Sequence, residues 1–265
     1  MYSLLKSDFY KLVHTKSFYI CGILSAVFSS LSILAYNFLI LAGYGITDVS
    51  MLGLNAVDGL KQGIFGFGEA VTILVTIVTA LFTACDFSHG TIKNILSAGV
   101  SRYKVYASKL IVTLAVTVIF VILGAVSSFT TGAILWEVGD LTRDLYLEML
   151  QIIGMAILIE FSSACLYVML GFMIKKTGVT VSIALLLNQI IVPLACAFAS
   201  MGIKNWFKLE EFDLLKYWPL TYARQITQIA EMEQQDIITA VIVCVSYVVV
   251  TTVLGMIVFK KRDIQ

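Results

Sequence analysis

The chain has 265 residues, of which 59% are hydrophobic and 13% are charged, and its mean hydropathy is +0.94. A soluble domain of this length needs a charged surface, which this composition cannot supply. Several apolar runs also reach the roughly 18–20 residues needed to cross a hydrocarbon core of about 30 Å. The net charge of +1 indicates no nucleic-acid partner, because the basic residues lie in loop segments instead of on one basic face. We therefore expect a single membrane domain over residues 1–265.

Neither the cysteines nor the histidines form a pattern typical of an enzyme or a metal site. The five cysteines lie within or at the ends of apolar runs, without a CxxC pair, as small buried thiols do. The two histidines, His14 and His89, have no HExxH motif and no paired carboxylates nearby. The phosphate-binding pattern GxxxxGK[ST] is also missing from the sequence. We expect no catalytic residue, no metal and no cofactor bound by this chain.

Residues 1–17 precede the first apolar run and predict an amphipathic helix. Its apolar face would carry Tyr2, Leu5, Phe9, Leu12 and Val13. Lys6, Asp8 and Lys11 are expected to point elsewhere. This pattern is typical of a helix that lies in the plane of the membrane interface. The alternative is a frayed polar tail.

Six apolar runs predict six transmembrane helices in an all-α fold. They cover approximately residues 18–43, 65–85, 105–132, 149–174, 179–202 and 237–259. The second run is the least regular, because Glu69 lies near its start. The third run is longer than one crossing needs. We expect it to bend or to leave the membrane near Gly124 and the serines and threonines that follow.

The distribution of lysine and arginine predicts the orientation. The basic residues concentrate in segments 1–17, 86–104, 175–178 and 260–265. On the opposite side they are spread over longer loops and mixed with acids. The positive-inside rule then places both termini in the cytoplasm of a multi-pass protein of the cell membrane.

The loop 204–236 between the fifth and sixth runs is amphipathic and rich in aromatic residues, with a natural break at Trp218-Pro219. Two short helices that dip into the outer leaflet, as re-entrant or interfacial segments, would put the aromatic rings at headgroup level. A small folded cap on the outer surface fits the sequence equally well.

Polar residues inside the fourth and fifth runs are candidates for a translocation path. Glu160 lies near the middle of the fourth run, where a charge costs roughly 2.5–3.5 kcal/mol to insert. On the fifth run, a stripe of small and polar residues consists of Thr180, Ala184, Asn188 and Ala195. Gln189 is adjacent to this stripe, and Pro193 predicts a kink. The functional interpretation is that Glu160, Asn188 and Gln189 line the path; hydrogen bonding between helices or across a dimer interface is the structural alternative.

The segment from Asp86 to Lys109 carries the most information. Ile92, Ile95 and Leu96 make an apolar stripe at i, i+3 and i+4 on a short helix. Gly99 suits the left-handed position that ends this helix, and Ser101 suits the cap of the next helix. We expect the apolar ridge to seat in a groove of another protein. A helix that merely lies on lipid headgroups is the alternative.

This segment resembles the first coupling-helix region of ABC-2 type transporter permeases, the transmembrane subunits of ABC exporters. The matching positions are Asp86, Gly90, Thr91, Ile92, Leu96, Ser101, Arg102 and Lys109. The interfacial helix, the six spans and the aromatic loop before the sixth span also resemble that family over nearly the whole length. Glu is commoner than Asp at the position of Asp86, and the chain has no large extracellular domain.

The resemblance implies a permease that pairs with a second permease subunit, most simply as a homodimer in membrane lipid, and rests on a cytoplasmic ABC ATPase. It implies that ATP and Mg²⁺ bind that separate ATPase. The implied ATPase contact comprises Asp86, His89, Gly90, Thr91, Ile92, Lys93, Ile95, Leu96 and Arg102.

The small size of the chain resembles that of bacterial permeases that export, or give immunity to, amphipathic peptides and antibiotics. We therefore expect an exporter of a peptide, an antibiotic or a similar amphiphile. Export of a lipid-linked glycan or lipid is the alternative within this class. An ATP-independent carrier or channel, or a membrane scaffold without transport, are the alternatives outside it.

Overall fold

The computed structural model describes residues 1–44, 54–65, 70–136, 138, 142–207, 214–225 and 234–261. The described part of the chain contains helices and no strand. In chain order the helices are α1 (Tyr2–Val13), α2 (Lys16–Tyr44), α3 (Ala56–Phe65), α4 (Ala70–Ser88), α5 (Thr91–Ser97), α6 (Arg102–Leu135), α7 (Arg143–Ile174), α8 (Thr177–Leu186), α9 (Val192–Phe207), α10 (Thr221–Gln225) and α11 (Gln234–Lys261). A π-helical turn (Leu187–Ile191) joins α8 to α9, and a 3₁₀ turn (Leu214–Tyr217) precedes α10.

Within the described residues, six helical segments are long and apolar enough to cross a membrane, which confirms the six expected spans. They are α2, α4, α6, α7, the continuous α8–α9 segment and α11. Glu69, the irregular point of the second predicted span, lies outside the described residues. α7 is the central helix, because it packs against α4, α6, α8 and α11.

The third span does not break at Gly124. α6 runs without interruption from Arg102 to Leu135. The hydroxyls of Ser127 and Ser128 donate to the carbonyl of Gly124, at 3.0 and 2.5 Å. The polar cluster is therefore satisfied within the helix itself, and the helix continues past it.

Helix α3 was not expected from the apolar pattern. It begins with a reciprocal cap: the Asn55 side chain accepts from the backbone N–H groups of Val57 and Asp58, while Asp58 accepts from the N–H of Asn55. This arrangement satisfies N–H groups that a helix start leaves without partners. The asparagine and aspartate three positions apart are the sequence signal that could have identified it.

Small residues let α3 lie very close to the end of α6. A Cβ atom added to Gly59 would lie 2.9 Å from the Cα of Gly132, and one added to Gly63 would lie 2.0 Å from the Ser128 Oγ. Both pairs are four residues apart on their helices. This is the small-xxx-small packing by which membrane helices bring their backbones together.

Candidate functional site

The helix α5 lies in a connector between two spans, α4 and α6. Gly90, with φ +67°, precedes α5, and Gly99, with φ +81°, follows it. The predicted left-handed conformation of Gly99 is confirmed. Ser101 occupies the cap position of α6, as predicted, but its side chain makes no capping hydrogen bond. The two glycines allow α5 to fold back onto the spans.

The apolar ridge of α5 packs against its own chain. Ile92 is 1% exposed and belongs to an apolar cluster that includes Tyr106, Phe172 and Phe259. Ile95 and Leu96 pack against this cluster and are partly buried. Ile92 is therefore covered by this chain itself, while Ile95 and Leu96 beside it remain partly exposed.

The face of α5 that remains accessible is polar. Lys93, Asn94 and Ser97 are exposed, while Thr91 is half-buried. A partner that reaches α5 in this arrangement would meet an ammonium, an amide and a hydroxyl beside the partly exposed side chains of Ile95 and Leu96.

Arg102 ties the start of α6 to the end of α11. Its Nη1 donates to the carbonyls of Phe259 at 2.7 Å and of Lys260 at 2.9 Å. Its guanidinium also lies 5.7 Å from the centroid of the Phe259 ring. A cation at a helix C-terminus satisfies free carbonyls and is favoured by the helix dipole. Arg102 thus secures α11 from within the chain.

Four charged side chains, three of them buried and Lys11 partly exposed, form a cluster at this end of the bundle. We call Asp8, Lys11, Asp86 and Lys109 the charge cluster. The Lys109 Nζ lies 3.0 Å from Asp8 Oδ1 and also donates to Asp86, while Lys11 Nζ lies 3.1 Å from Asp86 Oδ1. Asp8 and Lys109 are each 1% exposed, and the Ser108 hydroxyl donates to Asp8 at 2.6 Å. The cluster joins α1, α4 and α6 and is electrically balanced.

Asp8 is the member of the charge cluster that the sequence interpretation misplaced. It was expected to point away from the apolar face of α1. In the helix it shares a face with Leu5 and Leu12, which lie three residues before it and four after it. That face turns toward α6, so Asp8 is buried, while Tyr2 is 82% exposed. The i, i+3, i+7 spacing around Asp8 was the available signal.

A cavity of about 490 Å³ lies beside the charge cluster, between α1 and α4. Its walls are mainly apolar, with Phe18 and Phe82 among them, and Lys11 and Asp86 contribute polar groups. His89 also lines it and is exposed; its Nδ1 lies 3.0 Å from the carbonyl oxygen of Cys85. The cavity can accommodate a molecule with an apolar body and a polar end.

Glu160 is buried in the packing of α4 against α7. It is 0% exposed, and its Oε1 accepts a hydrogen bond from the Thr72 hydroxyl on α4. The structural interpretation of Glu160 predicts such a hydrogen bond between two spans.

Asn188 and Gln189 lie on the π-helical turn of the fifth span. Asn188 is 3% exposed and Gln189 is exposed, and both line a separate cavity of about 180 Å³. Thr180 and Ala184 of the predicted stripe are buried as Asn188 is, but Ala195 is exposed. A π turn holds more residues than an α turn, so residues after it no longer share a face with those before it.

Among the described residues, no group of three or more histidine, cysteine, aspartate or glutamate side chains could hold a metal ion.

A protein-family model described as "Protein of unknown function (DUF2705)" matches residues 17–265. The chain belongs to the DUF2705 family. Within the charge cluster, Asp86 and Lys109 fall inside the DUF2705 match, whereas Asp8 and Lys11 precede it. Glu160, and the π turn with Asn188, also fall inside it. No curated protein sequence matches this DUF2705 chain.

Proposed function

We propose that this DUF2705 chain is the permease subunit of an ATP-driven ABC exporter in the cell membrane. It moves an amphipathic peptide, an antibiotic or a similar amphiphile out of the cell. A separate cytoplasmic ABC ATPase binds ATP and Mg²⁺ and supplies the energy. A second permease subunit, identical in the simplest arrangement, completes the transporter.

The observation that carries the proposal is the way α5 is fastened to the spans. Ile92 belongs to one apolar cluster with Tyr106 of α6, Phe172 of α7 and Phe259 of α11. A displacement of α5 would therefore press on three spans through close-packed side chains, which transmit strain because interiors have few voids. A short helix that is connected in this way is suited to pass movement from an ATPase to the membrane domain.

The charge cluster strengthens that connection. Asp86 lies at the end of α4, just before α5, and is paired with Lys109 of α6 and Lys11 of α1. These contacts hold α1, α4 and α6 in one arrangement at the base of α5. We propose that Asp86, Ile92, Leu96 and Arg102 transmit force inside the chain, and that Lys93 and Asn94 meet the ATPase.

The cavity beside the charge cluster supports an amphiphile as cargo. Its apolar walls suit an acyl chain or an apolar peptide face, and Lys11 at its edge suits an anionic or polar end. A lipid-linked glycan has the same division into apolar and polar parts and remains the alternative cargo.

The remaining architecture follows the same proposal. Both termini lie in the cytoplasm, and α1 lies along the inner membrane interface. The segment from Leu214 to Gln225 dips into the outer leaflet: Trp218 is 6% exposed and packs on Tyr247 of α11, with 5.5 Å between ring centroids.

The fifth and sixth spans bury only 11% and 17% of their apolar windows within the chain, against 67% for α7. Their open faces are available to membrane lipid and to the second permease subunit.

The test is recruitment of an ATPase. The chain is co-expressed with a P-loop ATPase encoded beside its gene, and the complex is purified from membranes. We expect the ATPase to co-purify, and the double variant Lys93→Glu, Asn94→Asp to lose it. Lys216→Glu, which reverses the charge of an exposed lysine on the loop between the fifth and sixth spans, is the matched control and should retain it.

The substrate class is tested on the same complex in lipid nanodiscs. Amphipathic peptides with a polar or anionic end are expected to stimulate ATP hydrolysis, and lipid-linked oligosaccharides are not. Stimulation by the oligosaccharides alone would select the alternative cargo. Failure of any P-loop ATPase to co-purify with the unaltered chain would refute the exporter.

A further inference from the structure

A small cavity lies where the fifth span meets the segment that follows it. It has a volume of about 180 Å³. Its walls are Asn188, Gln189 and Pro193 on the span, and Leu215, Trp218, Leu220 and Thr221 on the following segment. Asn188 lies 11 positions beyond Thr177, the first residue of α8, which is about 16 Å along a helix axis. The cavity is therefore well inside the length of the span.

The Asn188 side chain has an unused hydrogen-bonding capacity. It is 3% exposed, and in the described part of the chain neither its amide nitrogen nor its amide oxygen has a hydrogen-bond partner. Buried polar groups are nearly always paired, by protein, by water or by a ligand. An unpaired carboxamide that lines a cavity indicates that something else completes its hydrogen bonds.

The backbone around Asn188 departs from a regular α-helix, because Asn188 lies in a π turn. Pro193 has no N–H and its ring would clash with the carbonyl four residues earlier, at Gln189. The helix accommodates it with the π turn Leu187–Ile191, in which the N–H of Val192 bonds to the carbonyl of Leu187. Such turns are rare and are frequently found at functional sites.

The lining sets the chemistry of the ligand. Asn188, Gln189 and Thr221 supply hydrogen-bond donors and acceptors, and the remaining walls are apolar. Among the described residues that line this cavity, none carries a charged side chain. A charged ligand would lose its hydration without gaining an opposite charge, so an uncharged ligand is favoured.

The geometry of Trp218 disfavours a sugar. Sugar rings bind proteins by covering an open aromatic face, but Trp218 is 6% exposed and makes an edge contact with Tyr247. A carboxamide pairs with another amide through one donated and one accepted hydrogen bond, which Asn188 can supply at once.

We propose that this cavity binds an uncharged amide, either a peptide bond or a carboxamide side chain, of the transported peptide. The inference rests on the proposed function and names the chemical group of the cargo that the fifth span recognises. Asn188 provides one donated and one accepted hydrogen bond to the bound amide, and Gln189 and Thr221 provide further hydrogen bonds to it.

The fluorescence of Trp218 reports on the site directly. The sequence has three tryptophans, so the variant Trp136→Phe, Trp206→Phe retains Trp218 as the single one. Purified protein in nanodiscs is titrated with N-acetylglycinamide, and with acetate, methylammonium and methyl glucoside in parallel. We expect a saturable change in fluorescence with N-acetylglycinamide and none with the other three compounds.

Two variants separate recognition from folding. Asn188→Leu is expected to weaken N-acetylglycinamide binding at least tenfold. Gln189→Leu, at an exposed position that should tolerate the change, is expected to weaken it several-fold. Thr180→Val is the matched control on the same span, because the Thr180 hydroxyl bonds to the carbonyl of Lys176 and not into the cavity.

The outcomes are distinguishable from those of the ATPase test. A cavity that holds water only would show no saturable response to N-acetylglycinamide. That result would overturn the inference, and it would leave the conclusion from ATPase recruitment unchanged. A response to methyl glucoside alone, or an unchanged response in both Asn188→Leu and Gln189→Leu, overturns it equally. Saturable amide binding without any co-purifying ATPase overturns the exporter instead.

Discussion

The ammonium of Lys109 lies 3.0 Å from a carboxylate oxygen of Asp8, a residue 101 positions earlier in the chain. The same ammonium donates to Asp86 at the end of α4. One buried cation thus links α1, α4 and α6, and Lys11 balances the second carboxylate. The lysine is held at the centre of an electrically neutral group, which explains how two acids and two bases can be accommodated at the base of α5.

Lys109→Met should strongly destabilise the protein. The change leaves Asp8 buried without a cation, and removing one partner of a buried pair costs about 3–5 kcal/mol. Lys104→Met is the matched control, because Lys104 lies on the same helix as Lys109 and is exposed, and surface substitutions usually change stability by about 0.5 kcal/mol or less. Denaturant unfolding in detergent measures both.

Charge balance can be tested with a double variant. Asp8→Asn combined with Lys109→Met removes one acid and one base together and leaves Asp86 paired with Lys11. We expect the double variant to be more stable than Lys109→Met alone. A double variant less stable than the single one would contradict the interpretation that unpaired charge is the cause.

Gly63→Ala should push α3 away from α6. The added methyl group would lie 2.0 Å from the Ser128 Oγ and 2.4 Å from its Cβ, and overpacking of this kind costs about 1–3 kcal/mol. Ser128→Gly in the same protein should restore much of the loss, because it removes both clashing atoms. Gly154→Ala is the control: a Cβ atom there meets nothing within 4 Å, so stability should stay equal or rise by up to about 1 kcal/mol.

Arg102→Gln should loosen the end of α11. Two carbonyls, those of Phe259 and Lys260, lose a charged donor, and hydrogen bonds to charged groups contribute about 1.5–3 kcal/mol. Hydrogen–deuterium exchange should therefore rise in the last turn of α11. Lys104→Gln, two residues further on and exposed, should leave that exchange unchanged; an equal rise in both variants would mean that Arg102 does not hold α11.

Glu160→Gln should preserve both dimer assembly and transport. A carboxamide oxygen can still accept from the Thr72 hydroxyl, so the contact between α4 and α7 persists. Thr72→Val, which removes the donor, should lower the free energy of unfolding by about 1–3 kcal/mol. Lost transport with intact assembly in Glu160→Gln would instead place Glu160 on the translocation path.

Asn188→Leu should raise the stability of the empty protein. An unsatisfied buried amide costs about 1–3 kcal/mol, and leucine of similar size removes that cost. The thermal midpoint of the ligand-free protein should therefore increase while amide binding is lost. A lower midpoint would show that Asn188 already makes a stabilising contact in the empty protein.

The number and approximate positions of the spans could be read from the chain alone. Apolar length is a local property, and a run of about 20 apolar residues has few stable environments other than a bilayer. The left-handed Gly99 was equally predictable, because the helix stop depends on neighbouring residues. The start of α3 was also predictable from local residues, because Asn55 and Asp58 form its cap. The apolar pattern of this segment is too weak to predict the helix by itself.

The candidate sites were decided by contacts between elements distant in the chain. Local spacing identified Ile92 as apolar, but only the fold-back of α5 onto Phe172 and Phe259 determined that its partner is this chain itself. The spacing of Asp8 with Leu5 and Leu12 indicated the buried side of α1, but only the tertiary structure showed that Lys109 is its partner there.

The sequence by itself determined a six-span membrane protein with a short helix between the second and third spans, because hydropathy, length and helix-stop signals act over one or two turns. Only the tertiary structure showed that the charge cluster forms, that Ile92 is buried against its own chain, and that a cavity lies beside Asn188. The free energies of those features come from burial and pairing, which exist only when helices far apart in the chain have packed together.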